Sequence, residues 1–138
     1  MSIQFSDLGI NSALQKGLND LKIATPTEIQ EKVIPMVLNQ KEDVVALAKT
    51  GTGKTAAFGL PLLQLIDVKN HAIQAIILAP TRELGQQISA NLTSFAKYAP
   101  EVSIATICGG IPIKPQIGRL KEATPVSYTH LRAHETHD

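Results

Sequence analysis

The sequence predicts an α/β fold, a parallel sheet with helices on both faces, on three observations. Short apolar runs alternate with segments of helical spacing along most of the chain. The apolar runs carry no polar alternation, as expected of strands buried on both sides. One of them runs directly into a glycine-bearing loop that opens a helical stretch.

Taken in order, Asn11 to Leu21 places Leu14, Leu18 and Leu21 at helical spacing. Thr27 to Leu38 is a second helix, entered through Pro26. Val44 to Ala48 suits a buried strand and leads into the loop Lys49 to Gly53. A third helix runs from about Lys54 to Ile66. Ala75 to Ala79 is another buried strand, ended by Pro80, and a helix follows from Thr81 to about Tyr98. Val102 to Ile107 is a third strand, ended by Gly109 and Gly110, with a last helix expected around Ile113 to Glu122. There is no internal repeat.

The 138 residues amount to one domain, and 43% apolar against 18% charged residues favours a packed core over disorder. The net charge of +1 gives no global basic field, so nucleic-acid binding would have to come from a local site. Cys108 is the single cysteine, which excludes an internal disulfide and fits a reducing cytoplasm. The first residues show neither a basic stretch nor an apolar one, and no apolar run approaches the roughly 20 residues that span a bilayer. A soluble cytoplasmic protein with no membrane association is expected.

Residues 126–138 have a different character. They carry no apolar period and hold His130, His134 and His137. Two of these histidines share a helix face, which suggests a metal site. Against that, Val126 to Thr136 resembles one reading frame of a transposase-type sequencing adapter. The expected organisation is therefore a partial domain over 1–125 and a non-native tail over 126–138 without packed contacts.

The strongest chemical signal is Ala48-Lys49-Thr50-Gly51-Thr52-Gly53-Lys54-Thr55. Phosphate oxygens need several backbone N–H groups aimed at one point, and glycines permit the tight loop that converges them. The helix that follows adds its N-terminal amides and positive dipole end. Lys54 can reach the β- and γ-phosphates, and the Thr55 hydroxyl can bind Mg²⁺. The plain alternative is a glycine turn with a solvated lysine, but a strand before and a helix after favour the phosphate loop.

Upstream, Thr27 and Gln30 form a capping box by spacing. The Gln30 amide also carries a donor and an acceptor that match adenine N6 and N7. Downstream, Pro80-Thr81-Arg82-Glu83-Leu84 falls where a strand ends and a helix begins, the edge at which open α/β folds bind ligands. Thr81 can cap that helix, and Arg82 adds a charged donor for a phosphate. Alternatively the segment is a capped helix with a solvated Arg-Glu pair, and Gly109-Gly110 is only a turn.

Together these segments resemble the DEAD-box ATP-dependent RNA helicases, in particular the bacterial RhlE-like kind. Phe5, Pro26 to Gln30, Ala48 to Thr55, Pro80 to Leu84 with Gln87, and Gly109-Gly110 match that family's Q motif, Walker A variant, first RNA-contact motif and GG motif, over roughly residues 3–125. The resemblance implies a truncated RecA-like P-loop domain that binds ATP and Mg²⁺. It implies that Gln30 reads adenine, with Phe5 and Ile23 beside it and Thr27 supporting the loop. It assigns Lys54 and Thr55 to catalysis. It gives Pro80, Thr81, Arg82, Gly109 and Gly110 backbone contacts with RNA, as a single strand or short duplex. The sequence departs from the family at Lys22 and Ile23, where glycine and an aromatic are usual, at Glu28 for proline, and at Gly85 for alanine.

Ala123-Thr124-Pro125 imitates the start of the family's Thr-Pro-Gly-Arg motif, but spacing from Gly110 puts that motif several residues beyond Pro125. The Asp-Glu-Ala-Asp and Ser-Ala-Thr segments and a second RecA-like domain are not in the sequence, so the chain itself is expected to be inactive. The alternatives are a DNA helicase or other P-loop ATPase, a small-molecule P-loop kinase, and a piece that only binds nucleotide.

Overall fold

A computed structural model describes residues 2–40, 43–47, 53–108 and 126–130. Loop residues Ala48 to Thr52, Gly109, Gly110, the helix expected over Ile113 to Glu122, and His134 and His137 lie outside the described residues. The described chain divides into two compact units, one of residues 1–65 with 94–99 and one of 66–93 with 100–138.

The first unit begins with a 3-10 turn, Phe5–Leu8, followed by helices α1 (Ser12–Asp20), α2 (Glu28–Asn39) and α3 (Lys54–Leu65). Asn11 caps α1 by accepting from the Leu14 amide at 3.0 Å, which satisfies one of the donors every helix start leaves over. Its apolar stripe buries Leu14 and Leu18. Gly17 lies on the same helix because a Cβ there would collide with the Phe95 carbonyl, so the backbones approach as closely as glycine allows. The helix ends in a Schellman turn: Lys22 N–H bonds Asn19 O and Ile23 N–H bonds Leu18 O, each at 2.9 Å. Asp20 at this end accepts hydrogen bonds from Lys97 Nζ at 2.7 Å and Tyr98 Oη at 2.6 Å. Those donors hold its carboxyl below the usual carboxylate range. Helix α3 is apolar nearly all round and correspondingly buried, with Ala56, Ala57, Leu60 and Leu63 in the core.

The second unit holds β1 (Ala75–Leu78), α4 (Arg82–Phe95, whose last turn belongs to the first unit), β2 (Ile104–Cys108) and β3 (Val126–His130). The three strands form a parallel sheet in the order β1-β3-β2, with Ala75 and Ile104 both opposite Val126. Parallel strands are what the alternating pattern predicts, and α4 connects β1 and β2 on either side of β3.

Two elements differ from expectation. Of the strand expected over Val44 to Ala48, the described part, Val44 to Leu47, forms no ladder, and Val45 and Leu47 are 89% and 91% exposed. A β-prone run becomes a strand only when its backbone is paired, and this one is in none of the described ladders. In the sheet, Ile77 and Ala79 are buried while Ile76 and Leu78 are more than 60% exposed, so one face of β1 is uncovered among the described residues rather than covered on both sides.

The larger correction concerns residues 126–130. They were expected to have no packed contacts, yet they form the middle strand of the sheet. The reason is physical. A ladder is made by backbone groups, which read no side-chain sequence, and Val, Tyr and Thr are strand formers.

Candidate nucleotide-binding site

The candidate site lies in the first unit, where α2 meets the head of α3. Thr27 caps α2 and forms a reciprocal box with Gln30: the Gln30 amide N–H reaches Thr27 Oγ1 at 3.4 Å, and Gln30 Oε1 accepts from Thr27 N–H at 2.9 Å. The other atom of the same amide reaches the residue that precedes α3. Gln30 Nε2 donates to the Gly53 carbonyl at 3.1 Å. Gln30 is only 3% exposed and is the buried polar side chain of the described core. Burial of an amide is tolerated because both of its ends are bonded.

Gly53 takes a backbone conformation that favours glycine. Its φ of +82° is left-handed, and a Cβ there would also displace the end of the Gln30 side chain. Its carbonyl accepts from Ala57 N–H at 3.1 Å as the first bond of α3. The amides of Lys54, Thr55 and Ala56 therefore have no acceptor within the helix, which is the electropositive end an anion would meet. Lys54 is exposed and Thr55 half-buried.

The bonding capacity of Gln30 bears on both readings of this residue. A primary amide has two donors and two acceptor lone pairs. Capping uses one acceptor site and bracing Gly53 uses one donor, which leaves one of each for a base edge. Capping and adenine reading are therefore compatible in one side chain.

The other sequence-predicted residues are placed as follows. Phe5 is 4% exposed, on a turn that packs against α1 and α2. Ile23 is half-buried just after the Schellman turn. In the second unit, Pro80 and Arg82 are exposed, and Thr81 caps α4 by accepting from Leu84 N–H at 3.1 Å. A cavity of about 310 Å³ also lies in the first unit between α2, α3 and residues 43–47, lined by Ile29, Val33, Val44, Ala46 and Phe58 with Lys54 at one side. Its apolar walls mark core left open beside the unpaired segment. Among the described residues no cluster of His, Cys, Asp or Glu could hold a metal, and no helix is long and apolar enough to cross a membrane.

Sequence reasoning missed Gln64. Its side chain accepts from Asn11 N–H at 2.7 Å and donates to the Gly9 carbonyl. A glutamine near the end of a helix carries no signal that it will bind backbone more than fifty residues away.

The alternating helices and parallel strands are those of a RecA-like α/β domain. The chain belongs to the DEAD/DEAH box helicase family, whose model matches residues 27–137. It is 41% identical over 122 residues to the ATP-dependent RNA helicase DeaD of Escherichia coli strain K12, covering 88% of this chain and 19% of that protein. It is 45% identical over 120 residues to the ATP-dependent RNA helicase CshA of Limosilactobacillus reuteri, covering 87% and 24%. Among solved structures, a DEAD box protein from Methanococcus jannaschii superposes with a TM-score of 0.85 at 38% identity, covering 92% of this chain and 34% of that one. A Dbp5 variant of S. cerevisiae bound to RNA and ADP BeF3 superposes with a TM-score of 0.80 at 32% identity, covering 92% and 32%. The chain thus spans only a fifth to a quarter of the two curated relatives.

Proposed function

We propose that this chain is the front part of the first RecA-like domain of an ATP-dependent RNA helicase, and that its parent couples RNA-stimulated ATP hydrolysis to local opening of RNA duplexes in the cytoplasm. The observation that carries the reading is the Gln30 bridge, which joins a base-reading amide to the phosphate-loop glycine through one side chain.

In this reading Gln30 takes the adenine edge with its remaining donor and acceptor, and Phe5 and Ile23 close the apolar side. Thr27 holds Gln30 in place. Backbone amides from Ala48 through Thr55, including Lys49, Thr50, Gly51, Thr52 and Gly53, cradle the phosphates, and Lys54 neutralises their charge. The Thr55 hydroxyl is the chain's ligand for Mg²⁺, which when bound offsets charge on the phosphate oxygens. Pro80, Thr81 and Arg82, with Gly109 and Gly110, contact the RNA backbone, so recognition is of strand shape rather than sequence. Residues 126–138 are foreign to the parent, although the first five serve as a strand.

The test is nucleotide choice. The parent should bind ATP more tightly than GTP, and Gln30→Ala should reduce that preference roughly tenfold, the scale of a lost bidentate base contact. Equal affinity for ATP and GTP in the unmutated protein would remove the adenine assignment.

A further inference from the structure

We infer that Gln64 is a positioning residue for the nucleotide site, holding the adenine side in register with the phosphate side. The inference rests on the nucleotide reading above and deepens it.

Contacts within the first unit form a closed circuit. Gln30 fastens α2 to Gly53, at the head of α3. The 3-10 turn that buries Phe5 packs on α2. That turn ends at Gly9, whose φ of +97° makes a sharp corner before Asn11 starts α1. Gln64, near the end of α3, grips this corner from both sides. Its Oε1 accepts from the Asn11 amide at 2.7 Å, and its Nε2 donates to the Gly9 carbonyl. Ile10 between them is 3% exposed. The same helix is thus tied at its head to the base-reading helix and near its end to the turn that packs on that helix.

The bonds to Gly9 and Asn11 span 55 and 53 residues of chain. Asn11 is a helix cap whose own side chain already serves Leu14. The Gly9 corner has no regular ladder, and Gln64 supplies partners to backbone groups that a tight corner otherwise leaves to water. Without it, the corner that carries the Phe5 turn loses its tie to α3 and keeps only the packing of the turn on α1 and α2. Phosphate binding depends on the loop and the amides of α3 itself and stays intact. Base binding depends on the Phe5 turn staying in place beside Gln30 and suffers.

The experiment compares ADP and inorganic tripolyphosphate as ligands of the full-length parent, with GDP as the base control. Gln64→Ala should weaken ADP about fivefold, the change that corresponds to about 1 kcal/mol, and leave tripolyphosphate affinity unchanged. Gln64→Glu keeps the acceptor for Asn11 but lacks the donor for Gly9, and should show the same split in smaller measure. Equal losses for ADP and tripolyphosphate in both variants would make Gln64 a merely structural residue and overturn the inference. Unchanged ADP binding would overturn it as well. A wild-type protein that does not prefer ADP to GDP would overturn the nucleotide reading, and this inference with it.

Discussion

Lys22 occupies a backbone position that favours glycine. Its φ is +62°, at the left-handed corner of the Schellman turn that closes α1. An L side chain there costs about 1–2 kcal/mol, and glycine recovers most of that while losing some unfolded-state entropy. Lys22→Gly should raise the unfolding free energy by roughly 0.5–1 kcal/mol, measured by denaturant melts. A neutral or destabilising result would show that the turn is not held in this conformation. The sequence already marked the position, since glycine is usual there in the family, but it could not show that the backbone angle persists without glycine. Gln30 was legible in the same partial way. Its spacing from Thr27 predicts the capping box, which forms, and the structure adds a bond to Gly53 that the spacing does not predict. Gln64 was not legible, because its partners are main-chain groups that only the folded corner brings near.

At the scale of elements, the helices could be read to within one to three residues at their ends, because each has a cap or a turn that the sequence states. Asn11, Thr27 and Thr81 all cap helices by side-chain oxygens. Strands depended on partners the local sequence cannot reveal. Val44 to Ala48 has strand composition and no ladder over its described part, whereas Val126 to His130 was set aside and forms one. In a central strand every N–H bonds to one neighbour or the other, so proline at any interior position removes a ladder bond. Ser127→Pro should therefore abolish amide-exchange protection in β1 and β2. Protection unchanged by that substitution would mean that residues 126–130 are not in the sheet in solution. The Asp20 cluster makes an element-scale contribution of its own. The depressed Asp20 carboxyl stabilises the fold above its unfolded pKa, and that share is lost as pH falls through the folded value. Lys97 and Tyr98 are both raised, so their share is present below their unfolded values and lost as pH rises through the folded ones.

At the scale of the molecule, the proposed reading gives the chain groups that bind nucleotide and RNA. The uncovered face of β1 and the unpaired, exposed Val45 and Leu47 are apolar surfaces that an isolated fragment offers to other chains. Phosphoryl transfer needs more than a phosphate loop. It needs an acidic ligand for the metal, a positioned water and an arginine donor, and the arginine alone is worth about 10³–10⁵ in rate in related systems. The most direct test is phosphate release with and without single-stranded RNA, from this chain and from a form extended through both RecA-like domains, with Lys54→Ala in the long form as the blank. The account predicts RNA-stimulated hydrolysis by the long form, none above the blank from the short chain, and loss of the activity with Lys54→Ala. RNA-stimulated hydrolysis by the short chain, or a long form indifferent to RNA, would contradict it.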